Sequence, residues 1–545
     1  MAPRLKEGPT GPILSVAYIP KGSDRRQPVS PPQPTPLVPD CPRSVDHLRH
    51  QLHQRLDQII DTCLGEQAGG SFLAFEAALL ALLRPLGQLL IQLFLLARHR
   101  RLDLDPWLRG DRYRRADDYA PRTLQTSCGP VTYGRAYLIA KRGLGPGVHP
   151  LDAELGLTRD SFSPLLIGWF CRLATRLSYR LAARMGGMFL GWAPAPGTVE
   201  EWVLGLGRPA YVYLSQGPLP PDDGEVLVIE CDGKAAPTAT QEELTKRRGK
   251  RGRHGRACPC GCQRHRGRAR RDRRGRKKRR KKGDKSKNGK SATLVVMYTL
   301  RRGPDGRLHG PINKKVFATF GRRQAALRWA RRQASRRGFG PGSGKTVQVV
   351  LDGELCLERR MRLLFPDAIL TLDVRHAQEK LWLAGRQFHK EGSSELRAWV
   401  EPLEGLLYQG RVEALLVRLR QELCRISRHG PGTKARRQTL SGVIGYLQKR
   451  VKLMDYGSWR ERDLVVASGV VEGAARYVIG ERLDNAGMRW IKERAEAVLL
   501  LRCIEVNGDW ESFFDWAERQ RAEALRNGGV VQIRSKTPTQ LPEAA

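Results

Sequence analysis

Apolar side chains return every three or four positions from about Arg43 to Leu104. Leu48, Leu52, Leu56, Ile59 and Ile60 mark the stripe, and the spacing predicts helix. The most apolar stretch, Phe72 to Ala97, contains Glu76, an Arg84-Pro85 pair, Gln88 and Gln92. It therefore predicts two packed helices with a kink rather than a bilayer span. TLQTSCGPVTYGRAYLI places two short runs around a Cys-Gly-Pro turn, a hairpin pattern. Helical spacing resumes over 160–207, where SYRLAARMGGMFLG, a Pro/Gly break and PGTVEEWVLGLG follow one another. That outline suits a helix-turn-helix with its second helix in a major groove, and equally two core helices of a bundle.

The alternation changes at Gly224. EVLVIECDGK, SATLVVMYTL and KKVFATFG are strand candidates, RRQAALRWARRQASRR is a basic helix, and TVQVVLDGE and AILTLDVRH are further buried strands. Helix then dominates to about Asp515. The order predicts a multidomain α/β chain: a ribonuclease-H-like mixed-sheet catalytic domain with a helical insertion, preceded by a mainly helical DNA-binding region. The expected divisions are a disordered Pro-rich leader (1–40), a helical region (41–110) and a hairpin plus helix-turn-helix-like region (111–210). The catalytic domain follows (222–515), interrupted at 244–290 by a basic segment and at 385–465 by helices, and a polar tail (516–545) closes the chain.

Charge narrows the partners. Ninety-six Lys and Arg against 55 Asp and Glu give a net charge of +41, which points to a polyanion. Between Lys246 and Lys287, 23 basic residues face only Asp272 and Asp284, so this segment holds about half of the excess. It has almost no apolar residues and cannot fold alone, and it is expected to grip DNA phosphates through Arg251, Arg253, Arg268, Arg270, Arg271, Lys277, Lys278, Arg279 and Arg280. Inside it Cys258, Cys260, Cys262 and His265 form a candidate structural zinc set, although Cys-x-Cys-x-Cys is not the usual knuckle spacing. The other cysteines are scattered and no secretory signal is visible. The expectation is a reducing interior, cytoplasmic and nucleoid-associated, with no membrane partner.

Three strand candidates end in an aspartate: Asp232, Asp352 and Asp373. Taken singly, each is a common turn starter. Together they lie where side chains of an open α/β sheet converge, and hard Mg²⁺ or Mn²⁺ takes such oxygen ligands. Two ions activate the attacking oxygen and stabilise the leaving one. A third ligand belongs on the closing helix, SGVVEGAARYVIGERLDNAGMRW, where Glu472 and Glu481 are nine residues apart and fall on opposite faces. Glu472 is ringed by Gly469, Gly473, Ala474 and Ala475, which permit close approach. Its structural alternative is an i,i+4 pair with Arg476. GFGPGSGKT at 338–346 is not a P-loop, because Phe339 stands where Gly is required and the segment precedes a strand.

VIECDGK, VVLDGE, FPDAILTLDVRHAQEKLW and GVVEGAARYVIGERLDNAGMRW, with the trailing LRCIEVNGDWESFF, resemble in this order the DDE transposases of Kra-type bacterial insertion sequences, allied to the Mutator-like superfamily. The resemblance covers about residues 120–515. It implies Asp232, Asp352 and Glu472 as the metal-binding catalytic triad and Asp373 with His376 as an Asp-x-x-His motif. His376 would position a phosphate or a water, or else pack Asp373. The resemblance also implies terminal inverted repeats and target DNA as partners, and a homo-oligomer on paired DNA ends. A catalytically inactive DNA-binding descendant and a basic RNA-binding protein are the alternatives.

Overall fold

The computed structural model describes residues 44–65, 70–110, 112–141, 145–245, 289–340, 342–484 and 488–527, together with Ile533. The leader, the basic segment from 246 to 288 with its cysteine cluster, and most of the tail lie outside the described residues.

The chain is a multidomain α/β protein with a helical N-terminal region and a five-stranded mixed sheet. Two helices open it, α1 (Val45–Leu64) and α2 (Phe72–Arg100), each capped by a serine whose side chain accepts from a first-turn amide. The expected pair of helices over 72–97 is one continuous 29-residue helix that contains Pro85. By length and composition it is long and apolar enough to cross a membrane. Its polar positions are used against protein: Gln88 and Gln92 donate to Cys128 and Thr132 carbonyls of the hairpin, and Arg84 donates to the Phe189 carbonyl.

After a short helix α3 (Asp105–Leu108) comes the hairpin β1 (Tyr113–Thr126) and β2 (Gly129–Ala140), antiparallel, with a small core of Leu95, Leu124, Val131, Tyr133 and Leu151. Helices α4 (Pro150–Glu154), α5 (Pro164–Arg176), α6 (Tyr179–Leu190) and α7 (Pro196–Gln216) follow. One face of α7 is in the core, where Val199, Trp202, Val203, Leu206, Ala210, Tyr213 and Leu214 are buried, while Pro196, Gly197 and Arg208 are exposed. That burial is what the bundle alternative expects, and the exposed positions leave the helix-turn-helix alternative standing beside it.

The sheet has the order β5-β4-β3-β6-β7. Strands β3 (Val226–Pro237), β4 (Gly289–Arg302) and β5 (Leu308–Thr319) form an antiparallel meander. Helix α8 (Arg323–Arg336) packs on β4 and β5, with Trp329 stacked on Phe317. Strand β6 (Thr346–Leu351) then runs parallel to β3, helix α9 (Leu355–Leu364) crosses back, and β7 (Ile369–Leu372) runs parallel to β6. Apolar β-branched runs suit strands buried on both faces.

Helix α10 (Val374–Gly385) leads into α11 (Ser394–Tyr408), α12 (Val412–Arg425), α13 (Thr433–Gln448) and α14 (Tyr456–Glu461). The chain returns as α15 (Gly469–Ala474), which widens into a π-helical turn over Ala475–Asp484, and ends with α16 (Lys492–Val506) and α17 (Trp510–Arg526). The polar tail expected from 516 starts later. Helix α17 continues to Arg526, burying Trp510, Phe513, Ala517 and Arg521.

Candidate active site

The parallel register decides where the aspartates stand. Glu230 pairs with Val350, so two residues further on Asp232 comes level with Asp352. Leu351 pairs with Leu372, and the Asp373 amide donates to the Leu351 carbonyl at 2.8 Å, so Asp352 comes level with Asp373. Continued by register, the three aspartates come level on the adjacent strands β3, β6 and β7. The two Asp-Gly pairs differ, however. Strand β6 ends at Leu351, as the sequence predicts, and Gly353 turns the chain with φ +88°. Strand β3 does not end at Asp232. Its ladder with β4 runs on from Asp232–Leu294 to Pro237–Gly289, so Asp232 is mid-strand.

Asp352 is exposed and its Oδ1 accepts from the Glu354 amide, while Asp232 is partly exposed and accepts from the Gly233 amide. The Asp352-Gly353 turn is held from the helical segment. Arg450, buried, donates its Nε to the Gly353 carbonyl at 2.9 Å and stacks on the Tyr446 ring, whose hydroxyl reaches the Asp352 carbonyl.

Glu472 reaches this edge through a chain of buried polar contacts. Gln348 of β6 exchanges hydrogen bonds with the Val465 backbone, the Val374 amide donates to the Val466 carbonyl, and the Ser468 hydroxyl donates to Asp373. Then the Val471 amide donates to Glu230 Oε2 at 2.7 Å. Glu472, the next residue, is exposed, and among the described residues its carboxylate makes no ion pair, with Arg476 or any other. Glu481 is instead bound by Arg502 at 2.9 Å.

Glu230 was not among the residues singled out from sequence. It is fully buried, receives the Tyr298 hydroxyl at 2.6 Å, and its carboxyl is pushed up to about 7 by burial and by the nearby Asp373 and Glu472 charges. The signal was present: a charged residue inside an apolar strand, two positions before Asp232 and therefore on the same face. Asp373 is also fully buried, where it caps α10 by accepting from the Arg375 amide and receives Ser468. His376 is partly exposed, with Nε2 3.9 Å from Asp373 and Nδ1 3.6 Å from Glu379.

Asp232, Asp352 and Glu472 supply accessible hard oxygen donors, the chemistry a divalent cation such as Mg²⁺ selects. Their side chains stand as three separate carboxylates. Among the described residues no three His, Cys, Asp or Glu side chains converge closely enough to hold an ion. The zinc candidates Cys258, Cys260, Cys262 and His265, and the nine basic residues from Arg251 to Arg280, lie outside the described residues. GFGPGSGKT bridges α8 and β6 and opens no helix. No protein-family model matches the chain, and no curated protein matches its sequence.

Proposed function

We propose that this chain is a DDE-type DNA transposase, a metal-dependent polynucleotidyl transferase acting at the ends of a bacterial insertion sequence. The observation that carries the reading is the matched register of Asp232 and Asp352, with the helix bearing Glu472 fastened to the same strand through Glu230. The antiparallel meander with two parallel strands added beside β3 supports the ribonuclease-H-like assignment.

In this reading Asp232, Asp352 and Glu472 would hold two Mg²⁺ or Mn²⁺ ions, which would supply positive charge for phosphodiester chemistry. The remaining work belongs to the protein. Glu230, Ser468 and Gln348 fix the return of the chain, Arg450 and Tyr446 fix the Asp352 turn, and Asp373 locks α10 to the strand edge. No covalent protein intermediate is needed, because positioning and charge stabilisation suffice. The basic segment would grip DNA, paired element ends would require a homo-oligomer, and the nucleoid is the compartment.

The test is excision of a marker flanked by the DNA that borders the gene. Asp232→Asn, Asp352→Asn and Glu472→Gln are each expected to abolish excision, at least 100-fold, while DNA binding persists. Excision at the wild-type level in all three would overturn the reading. A second reading, an inactive DNA-binding descendant, is favoured by the separation of the three carboxylates. It predicts specific binding of the bordering DNA with no excision by the wild type.

A further inference from the structure

We propose that the cavity between β2, α4 and the C-terminal helix α17 binds a nucleotide through its phosphate, as free nucleotide or as one unit of a nucleic-acid strand. The cavity has a volume of about 470 Å³, within the range of small-molecule sites. Its wall includes Arg122, Arg135, Arg159, Asp152, Tyr137 and His149.

Three guanidinium groups therefore meet one carboxylate. Asp152 is already saturated: it accepts from Arg122 at 2.8 Å and from the Tyr133 hydroxyl at 2.6 Å, and it pairs with Arg135. Arg122 is a brace, its Nη2 donating to the Thr158 and Asp160 carbonyls. Arg135 is different. Its side chain is only 13% exposed, and its Nε is buried with no hydrogen-bond partner among the described residues. Arg159 stands exposed on the same wall and makes no ion pair among the described residues. Three guanidinium groups on the wall face the single charge of Asp152, so the cavity carries a net positive charge that an anion would complement.

The histidine reports the same field. His149 Nδ1 donates to the Ala136 carbonyl at 3.1 Å, which leaves Nε2 as an acceptor. Burial, then Arg135, Arg122 and Arg159, hold its pKa down to about 4, so the ring is neutral at pH 7 and adds no charge. An inorganic phosphate alone would leave most of the cavity unfilled. The Tyr137 and His149 rings, 4.8 Å apart, give a nucleobase a surface to lie against. The Tyr137 ring is itself seated over Gly147, where a Cβ would come within 2.3 Å of its hydroxyl.

The proposal stands whether or not the carboxylate edge is catalytic, because it is measured without divalent metal. Full-length protein is titrated calorimetrically, in salt that screens the basic segment, with thymidine monophosphate, thymidine, inorganic phosphate and a short 5′-phosphorylated single-stranded oligodeoxynucleotide. The expected result is one saturable site for the monophosphate, no binding of thymidine, and at least tenfold weaker binding in Arg135→Gln and Arg159→Glu. Arg159 is exposed, so its variant keeps the fold even if Arg135→Gln does not. Displacement of the monophosphate by the oligonucleotide identifies a nucleic-acid strand as the source, and failure to displace it identifies free nucleotide. No saturable binding of the monophosphate, equal binding of thymidine, or unchanged affinity in Arg159→Glu would overturn the proposal.

Discussion

Glu230 and Val471 are joined by a hydrogen bond of 2.7 Å between a buried carboxylate and a backbone amide, 241 positions apart in the chain. The contact ties the first turn of the helix bearing Glu472 to the strand bearing Asp232. Removing the carboxylate in Glu230→Ala strands the Tyr298 hydroxyl and the Val471 amide. Each unsatisfied buried group costs about 1–3 kcal/mol, so a loss of roughly 2–6 kcal/mol is expected in urea unfolding. Activity should fall further than stability explains, because Glu472 loses its anchor. A variant as stable and active as wild type would contradict this role.

The two Asp-Gly pairs look alike in sequence and should respond differently. Gly353 has φ +88°, and a Cβ there would lie 2.3 Å from the Tyr446 hydroxyl. Gly233 is extended, and its Cβ would meet the Ser291 hydroxyl at 3.0 Å and the Ala292 carbonyl at 3.9 Å. Gly353→Ala is expected to destabilise by roughly 2 kcal/mol or more, and Gly233→Ala by less than about 1 kcal/mol. Thermal denaturation of both variants checks the contrast.

How far the sequence reached can be judged on these elements. Strand alternation gave the order of β3 to β7, and apolar runs ending in aspartate gave Asp352 and Asp373 their strand ends, because period-2 patterning is a local property. Three things were not local. That β3 continues past Asp232 depends on its partner β4, that one face of α7 is buried depends on helices far along the chain, and that α2 is unbroken depends on tertiary contacts overriding a proline. Glu230 was legible in type but not in role, since its partners Tyr298 and Val471 are distant. A 3.6-residue period put Glu472 and Glu481 on opposite faces and the small residues around Glu472 favoured it, whereas the segment Ala475–Asp484 is π-helical. What separates the two is that Arg502 occupies Glu481.

Stability should depend on pH through Glu496. Its carboxyl is 4% exposed, accepts from the Thr319 hydroxyl and the Phe320 amide, and lies near Lys492 and Glu493. Burial pushes its pKa up to about 7, against hydrogen bonds that lower it. Between the ordinary carboxylate value and 7 the folded form holds a proton that the unfolded chain has released. Stability from this group therefore declines as pH rises through that window, by about 3 kcal/mol, and is flat above it. Glu496→Gln should remove its share of that decline, leaving the part contributed by Glu230 in the same window. Urea midpoints from pH 4.5 to 8 that fall equally in both proteins would contradict the assignment.

The basic segment should set the salt dependence of DNA binding. Each phosphate contact contributes a slope of about −0.9 in log K against log salt. Deleting residues 246–287 is expected to flatten the slope by several such contacts while leaving the fold intact. An unchanged slope, or a preference for structured RNA indifferent to the carboxylates, would move the reading toward an RNA-binding protein.

The most direct test of the central claim is to let the metal site mark itself. Fe²⁺ substituted for Mg²⁺ in the full-length protein, with ascorbate and peroxide, cuts the backbone beside the bound ion, and mass spectrometry maps the cuts. The account predicts cleavage around Asp232, Asp352 and Glu472, suppressed by excess Mg²⁺ and lost in Asp352→Asn. Cleavage elsewhere only, or cuts at these positions indifferent to Mg²⁺ and to the substitution, would contradict it.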